Sequence, residues 1–121
     1  MNKRVIGSGN EELACSYIES LGGTVIERNF RCKMGEIDII ARDGNYLCFI
    51  EVKFRKDSSF GDPKEAVNFS KQRRISKVCE FYLYSKKLSF DIPIRYDVIA
   101  VSVKEDMLFF DWVKNAFDHA C

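Results

Sequence analysis

An α/β domain, a mixed sheet with helices packed on it, is what this sequence predicts. Three observations carry that reading: apolar residues at helical spacing between Leu13 and Leu21, an Asp-Gly turn between two strand-like runs, and a second helical pattern that separates those runs from a further strand at Ile94. At 121 residues, 46% hydrophobic and 31% charged, the chain reads as a single domain over 1–121. A chain of this size buries roughly two-thirds of its unfolded surface, enough for a core without staples, so disordered and fibrous classes are excluded. No apolar run approaches the ~20 residues of a bilayer span. The N-terminus starts basic but lacks the apolar stretch of about 7–15 residues of a secretory signal, so a cytoplasmic address is expected.

The first helix is set by Leu13, Ala14, Tyr17, Ile18 and Leu21, which share one face, and Gly22-Gly23 ends it. Its start is open between Asn10 as cap and Ser8 as cap, the latter with Glu11 completing a capping box. Thr24 to Arg31 reads as a strand from its β-branched start, and Glu36 to Arg42 and Tyr46 to Arg55 as two more. Asp43-Gly44 between the last two is a strong hairpin signal. Asp62-Pro63-Lys64-Glu65 has the composition of a helix start, and apolar spacing continues from Val67 to Tyr82, with a break suggested near 68–70. Ile94 to Val103 and a short run from Met107 to Val113 are strands by their β-branched and aromatic content.

With Asp43 and Gly44 as the loop, Ile40 faces Leu47, Asp38 faces Phe49 and Glu36 faces Glu51 across the hairpin. One face then carries Ile37, Ile39, Ala41, Cys48, Ile50, Val52 and Phe54, an apolar surface for the core. The other is apolar near the turn and switches at its far end to Glu36, Asp38, Glu51, Lys53 and Arg55. Asp38 and Glu51 become diagonal neighbours, about 7–8 Å apart at the backbone. Opposed Glu36 and Glu51 repel unless a cation intervenes, and either Lys53 or a bound ion meets that need. Magnesium, or manganese in its place, takes oxygen donors, commonly one or two carboxylates with waters and a substrate phosphate. The competing reading is an ordinary solvated strand face.

Five cysteines, none in a Cys-x-x-Cys spacing, and a single histidine, His119, argue against a zinc site. Cys48 and Cys79 lie in apolar stretches and read as core residues of a reducing compartment. The net charge of +1 argues against bulk electrostatic coating of nucleic acid, but charge is clustered. Ten of the 19 basic residues fall in Arg28–Lys33, Lys53–Lys56 and Lys71–Lys77, with no acid among them. A basic face is expected, with an ordinary solvated helix surface as the alternative for Arg73, Arg74 and Lys77. Phe54 and Phe60 are assigned to the core rather than to base stacking. Phe109-Phe110-Asp111-Trp112 suits either an edge cover or a homodimer contact.

The runs Glu11-Glu12-Leu13-Ala14, Arg28-Asn29-Phe30-Arg31, Gly35-Glu36-Ile37-Asp38-Ile39-Ile40, Phe49-Ile50-Glu51-Val52-Lys53-Phe54-Arg55, Phe60-Gly61-Asp62-Pro63, Lys71-Gln72-Arg73-Arg74-Ile75 and Arg95-Tyr96-Asp97-Val98 resemble the YraN family of small bacterial proteins. That family is similar to archaeal Holliday-junction resolvases within the PD-(D/E)xK nuclease superfamily. The resemblance implies a restriction-endonuclease-like core, α-β-β-β-α-β with a short C-terminal strand, and a metal site where the second and third strands diverge. It implies Asp38 as first metal carboxylate, Glu51 and Lys53 as the Glu-x-Lys pair, and Glu11 as the helix carboxylate. Asn10 stands where the family usually has glycine, which leaves Glu12 as the alternative to Glu11, and Ile37 stands where the superfamily motif has proline.

The expected activity is therefore metal-dependent phosphodiester hydrolysis on DNA, in preference to RNA, with branched or single-stranded structures as candidate substrates. Asp38, Glu51 and Glu11 would hold magnesium, Lys53 would assist the attacking water, and Arg31, Lys33, Arg55, Lys71 and Arg74 would position the backbone. The alternatives are a non-catalytic nucleic-acid-binding module and, third, a protein-interaction component whose acidic cluster is structural.

Overall fold

Strand alternation and two amphipathic helices build three layers. The computed structural model describes residues 3–55 and 67–120. Within them the order is α1 (Lys3–Ser20), β1 (Thr24–Cys32), β2 (Gly35–Asp43), β3 (Tyr46–Arg55), α2 (Phe69–Ser85), β4 (Ile94–Lys104) and β5 (Met107–Phe117). The strands form one mixed sheet in the order β1-β2-β3-β4-β5, antiparallel except for the central β3–β4 pair. That parallel step needs a crossover, and α2 lies on it. The architecture is the expected α/β, restriction-endonuclease-like one. No helix among the described residues is long and apolar enough to cross a membrane.

Each helix buries its apolar stripe on its own face of the sheet. Ala14, Cys15 and Ile18 of α1 pack on Ile39, Ala41, Cys48, Ile50, Ile99 and Val101. On the opposite face Ile75, Val78, Cys79, Tyr82 and Leu83 of α2 pack on Ile40, Leu47, Phe49, Tyr96 and Val98. β2 and β3 are therefore buried on both sides, as a sheet covered by helices requires. Burial pushes the thiols of Cys48 and Cys79 up to about 12 and about 11, consistent with inert core residues.

α1 begins at Lys3, ahead of both expected caps, so Ser8 and Asn10 lie inside it and the capping-box reading of Glu11 falls. Cap-type composition misled here because such residues, though weak helix formers, are tolerated within a helix. The C-terminus is as expected: Gly22, at φ 93°, donates its N–H to Glu19 and Gly23 donates to Ile18, the paired bonds of a Schellman ending. α2 starts later than its Pro-containing signal suggested. Asn68 is its cap, the side-chain oxygen accepting from Lys71 N–H at 2.9 Å. Asp62-Pro63-Lys64-Glu65 and Phe60 lie outside the described residues.

The hairpin register differs by two. Asp43 pairs with Tyr46, so Gly44 and Asn45 form the loop, and Gly44 takes the positive φ, 61°, that a type II′ turn requires at its first position. A shift of two preserves parity along the paired rungs but changes who opposes whom: Ile39 now pairs with Ile50, which brings Asp38 level with Glu51. Glu36 is not opposed to Glu51. It pairs with Arg31 across β1–β2 and shares a 3.0 Å ion pair with it at the surface. Ile37 joins the α2 cluster instead of sitting with Ile39, and Phe54, at 39% exposure, is outside the core.

β5 runs four residues past the expected Val113, to Phe117, and covers the edge of β4. Phe110 stacks on Tyr17 with ring centroids 4.6 Å apart, and Trp112 meets the same ring edge-on. Beneath them lies a buried charge network. Asp97, fully buried, accepts from Arg95 Nε at 2.9 Å, Trp112 Nε1 at 2.9 Å and Asn115 N–H at 2.8 Å. Arg95 reaches on to Asp43 at 2.8 Å, and Lys114 meets that same carboxylate at 3.0 Å. His119 bridges Tyr96 and Glu80, which accounts for the lone histidine without a metal role. Because the Asp97 network ties β2, β4 and β5 together at the turn end, Asp97→Ala should leave Arg95 with Asp43 alone and take away the acceptor of Trp112 Nε1 and Asn115 N–H. A loss of about 3–5 kcal/mol in urea-denaturation stability is expected, and a loss below about 1 kcal/mol would show the network to be dispensable.

Candidate active site

The site arises where β2 and β3 stop pairing. Their ladder ends at Ile39–Ile50, whereas β3 stays paired to β4 through Arg55–Ser102. Past the last rung, Val52 N–H donates to Asp38 Oδ2 at 2.8 Å, so a side chain takes the place of a strand carbonyl. That bond fixes the Asp38 carboxylate against β3. Glu51, 4% exposed, lies beside it on the face covered by α2.

The electrostatics of the pair follow from burial. Asp38 is pushed up to about 8, first by desolvation, then by its hydrogen bond with Glu51 and by the Glu51 charge; the Val52 N–H pulls the other way. The glutamate has a cation of its own: Lys71 Nζ lies 2.5 Å from Glu51 Oε2. Burial works against the Lys71 charge, but the Glu51 carboxylate outweighs it and holds its pKa up. Lys53 is within hydrogen-bonding range of Lys71, and burial together with that neighbouring charge lowers its pKa. Two carboxylates and two ammonium groups thus share one half-buried cluster.

A cavity of about 480 Å³ opens over the cluster, walled by Arg31, Glu36, Asp38, Glu51, Lys71 and Arg74 among others. Gly35 takes a φ of 142° that favours glycine, and a side chain there would start 3.7 Å from Arg74 Cδ, in ordinary contact, so the arginine stem lies over the strand while Arg74 lines the cavity. Arg74 also lines a second groove with Ser70, Arg73 and Lys77, a basic track leading away along α2.

Of the residues expected from the sequence, Asp38, Glu51, Lys53, Lys71, Arg31 and Arg74 are brought together. Lys33 is exposed in the β1–β2 turn, and Arg55 ends β3. Glu11, half-buried on α1, is close enough for its charge to raise Asp38, while Glu12 is exposed. Among the described residues no three His, Cys, Asp or Glu side chains converge as a metal cage, so Glu11 stays at electrostatic range from the carboxylate pair. What sequence reasoning missed is Lys71 as the partner of Glu51. The two residues lie 20 apart, and with the helix expected to start at Asp62 no local signal marked Lys71 as a first-turn cation.

The model of "Uncharacterised protein family UPF0102" matches residues 10–101. A UPF0102 protein of Caldicellulosiruptor saccharolyticus is 42% identical over 97% of this chain and all of its own length. One from Clostridium kluyveri is 46% identical over 93% of each chain, and one from Dictyoglomus turgidum 43% identical over 97% of this chain and all of its own length.

The raised pKa of Asp38 has a consequence for stability. An aspartate raised from 3.8 towards 8 carries no penalty below pH 3.8, where both folded and unfolded states are protonated. As pH rises the unfolded state ionises first, and stability falls until the folded group titrates as well. Asp38→Asn, which mimics the protonated form and keeps an acceptor for Val52, should therefore raise the melting temperature more at pH 8 than at pH 4. An equal shift at both values would contradict this electrostatic account.

Proposed function

The chain belongs to the UPF0102 family, that of the YraN proteins, and from that membership together with the carboxylate and lysine cluster we propose a metal-dependent phosphodiesterase acting on DNA. The observation that carries this reading is the placement of Asp38 and Glu51 side by side at the floor of a cavity whose rim is Arg31, Lys71 and Arg74. Buried like charges cost stability unless a cation is shared between them, and the basic rim suits a phosphate.

The donor set fits magnesium or manganese. Asp38 and Glu51 offer hard oxygen ligands, and the cavity leaves room for waters and a phosphate oxygen beside them. Glu11 would contribute through its charge or through a bridging water. When bound, such an ion supplies Lewis acidity at the phosphate and at an attacking water. The chain's own groups do the rest. Asp38 and Glu51 fix the position of the reacting centre, and Lys53, two residues beyond Glu51, orients the water or offsets charge developing on the phosphate. Arg31 and Arg74 hold the backbone, with Lys33, Arg55 and the groove of Arg73 and Lys77 extending the contact. No base-reading groups stand out, so recognition is of backbone and shape, which favours branched or single-stranded DNA.

The competing reading is a non-catalytic nucleic-acid-binding module, and the Glu51–Lys71 ion pair favours it, since a carboxylate already paired needs no metal. A labelled panel of duplex, single-stranded, flap and four-way-junction DNA, with RNA beside it, separates the two. Metal-dependent cutting that falls at least about 100-fold in Asp38→Asn and in Lys53→Ala is expected from loss of a metal ligand and of a charge-stabilising group. Retained binding with no cutting by the unaltered protein, with magnesium or manganese, would overturn the enzyme reading in favour of the module.

A further inference from the structure

We propose that Lys71 is a resident cation at Glu51 which an incoming divalent ion must displace, and that the displaced ammonium then serves the phosphate at the cavity rim. This rests on the metal-dependent reading given above and assigns Lys71 a role beyond backbone contact.

Four observations support it. The Lys71 ammonium touches the very carboxylate oxygen that a metal would use, at 2.5 Å from Glu51 Oε2. Glu51 has 6% of its side chain exposed against 31% for Lys71, so the carboxylate is fixed and the lysine has the freedom to leave. The lysine stands in the first turn of α2, with no acidic residue in that turn, an arrangement the helix dipole disfavours. A local rule broken in this way marks a residue placed for its site. Finally, Lys71 and Arg74 line the same cavity one helical turn apart, so an ammonium released from Glu51 stays within reach of a phosphate bound to Arg74.

The exchange conserves charge at the cluster. Without a divalent ion, Lys71 offsets the Glu51 carboxylate and spares the fold an uncompensated buried charge. With one, any proton on Asp38 passes to solvent, the ion offsets both carboxylates, and repulsion between ion and ammonium drives Lys71 outward. Displacing the lysine lowers metal affinity, so occupancy is favoured only when a phosphate is present to receive the ammonium. Metal and nucleic acid are then coupled through one side chain, and each tightens the other.

The test is Mn²⁺ binding to the whole chain, followed by the electron paramagnetic resonance signal of the free ion, without and with a non-cleavable phosphorothioate DNA. Lys71→Met should bind Mn²⁺ at least about fivefold more tightly than the unaltered protein in the absence of DNA, and should lose the DNA-dependent gain in affinity. Lys86→Met, at the opposite end of α2 from the cavity, should behave as the unaltered protein does. Unchanged or weaker Mn²⁺ binding in a folded Lys71→Met would overturn the proposal while leaving the metal site standing. Absence of Mn²⁺ binding in both proteins would overturn it together with the metal reading, whereas tighter binding without any DNA cleavage supports it and removes only the nuclease activity. A second readout needs no substitution: in reductively ¹³C-methylated protein the Lys71 signal should move on Mg²⁺ addition, and a stationary signal in a protein that binds Mg²⁺ is an equally adverse result.

Discussion

One hydrogen bond, from Val52 N–H to Asp38 Oδ2, organises the functional end of this molecule. It forms where the β2–β3 ladder has ended, and it gives a strand N–H the partner it would otherwise lack. Because that partner is a carboxylate, satisfying the backbone and fixing a carboxylate of the candidate site are the same act. The nearness of Glu51, the proton retained on Asp38 and the recruitment of lysines all follow from holding that oxygen against β3.

The Asp38–Glu51 pair is the buried part of the cluster, with Lys71 on Glu51 and Lys53 beside Lys71, and Arg31, Glu36 and Arg74 share the cavity lining. Opposite charges meet there in a partly desolvated space, where they interact more strongly than in water. An isolated surface pair such as Arg31–Glu36, with both side chains largely exposed, contributes about 1 kcal/mol or less. The cluster's significance is therefore local and electrostatic, and the cores formed on the two faces of the sheet carry the stability that allows it.

Much of this was legible in the sequence, and the limits have physical causes. Strand period and the glycine pair at 22 and 23 fixed the elements, because both are local signals. The hairpin register was off by two because Asp-Gly and Gly-Asn are both acceptable loops, and only packing across the sheet chooses between them. Within the β2–β3 ladder the face assignment survived since parity is unaffected by a shift of two, whereas Ile37, beyond its last rung, went to the α2 side. Glu36 could not be placed, because its partner Arg31 comes from the other side of β2. The Lys71–Glu51 pair spans 20 residues and part of a segment with no periodic signal, so nothing in local sequence announced it.

The two ends of the central hairpin differ in kind. At the turn, Asp97, Arg95, Asp43 and Lys114 lock three strands with charged bonds, while at the other end β2 has parted from β3, staying paired to β1 as far as Cys32–Gly35, and β3 stays paired to β4. Amide exchange in such a sheet is expected to be slowest at the locked turn end. Glu51 and Lys53 sit on β3 and Asp38 on β2, so the two carboxylates belong to strands held by different neighbours. The spacing of the two carboxylates therefore depends on the gap between the β1–β2 and β3–β4 pairs, a gap that the Val52–Asp38 bond spans.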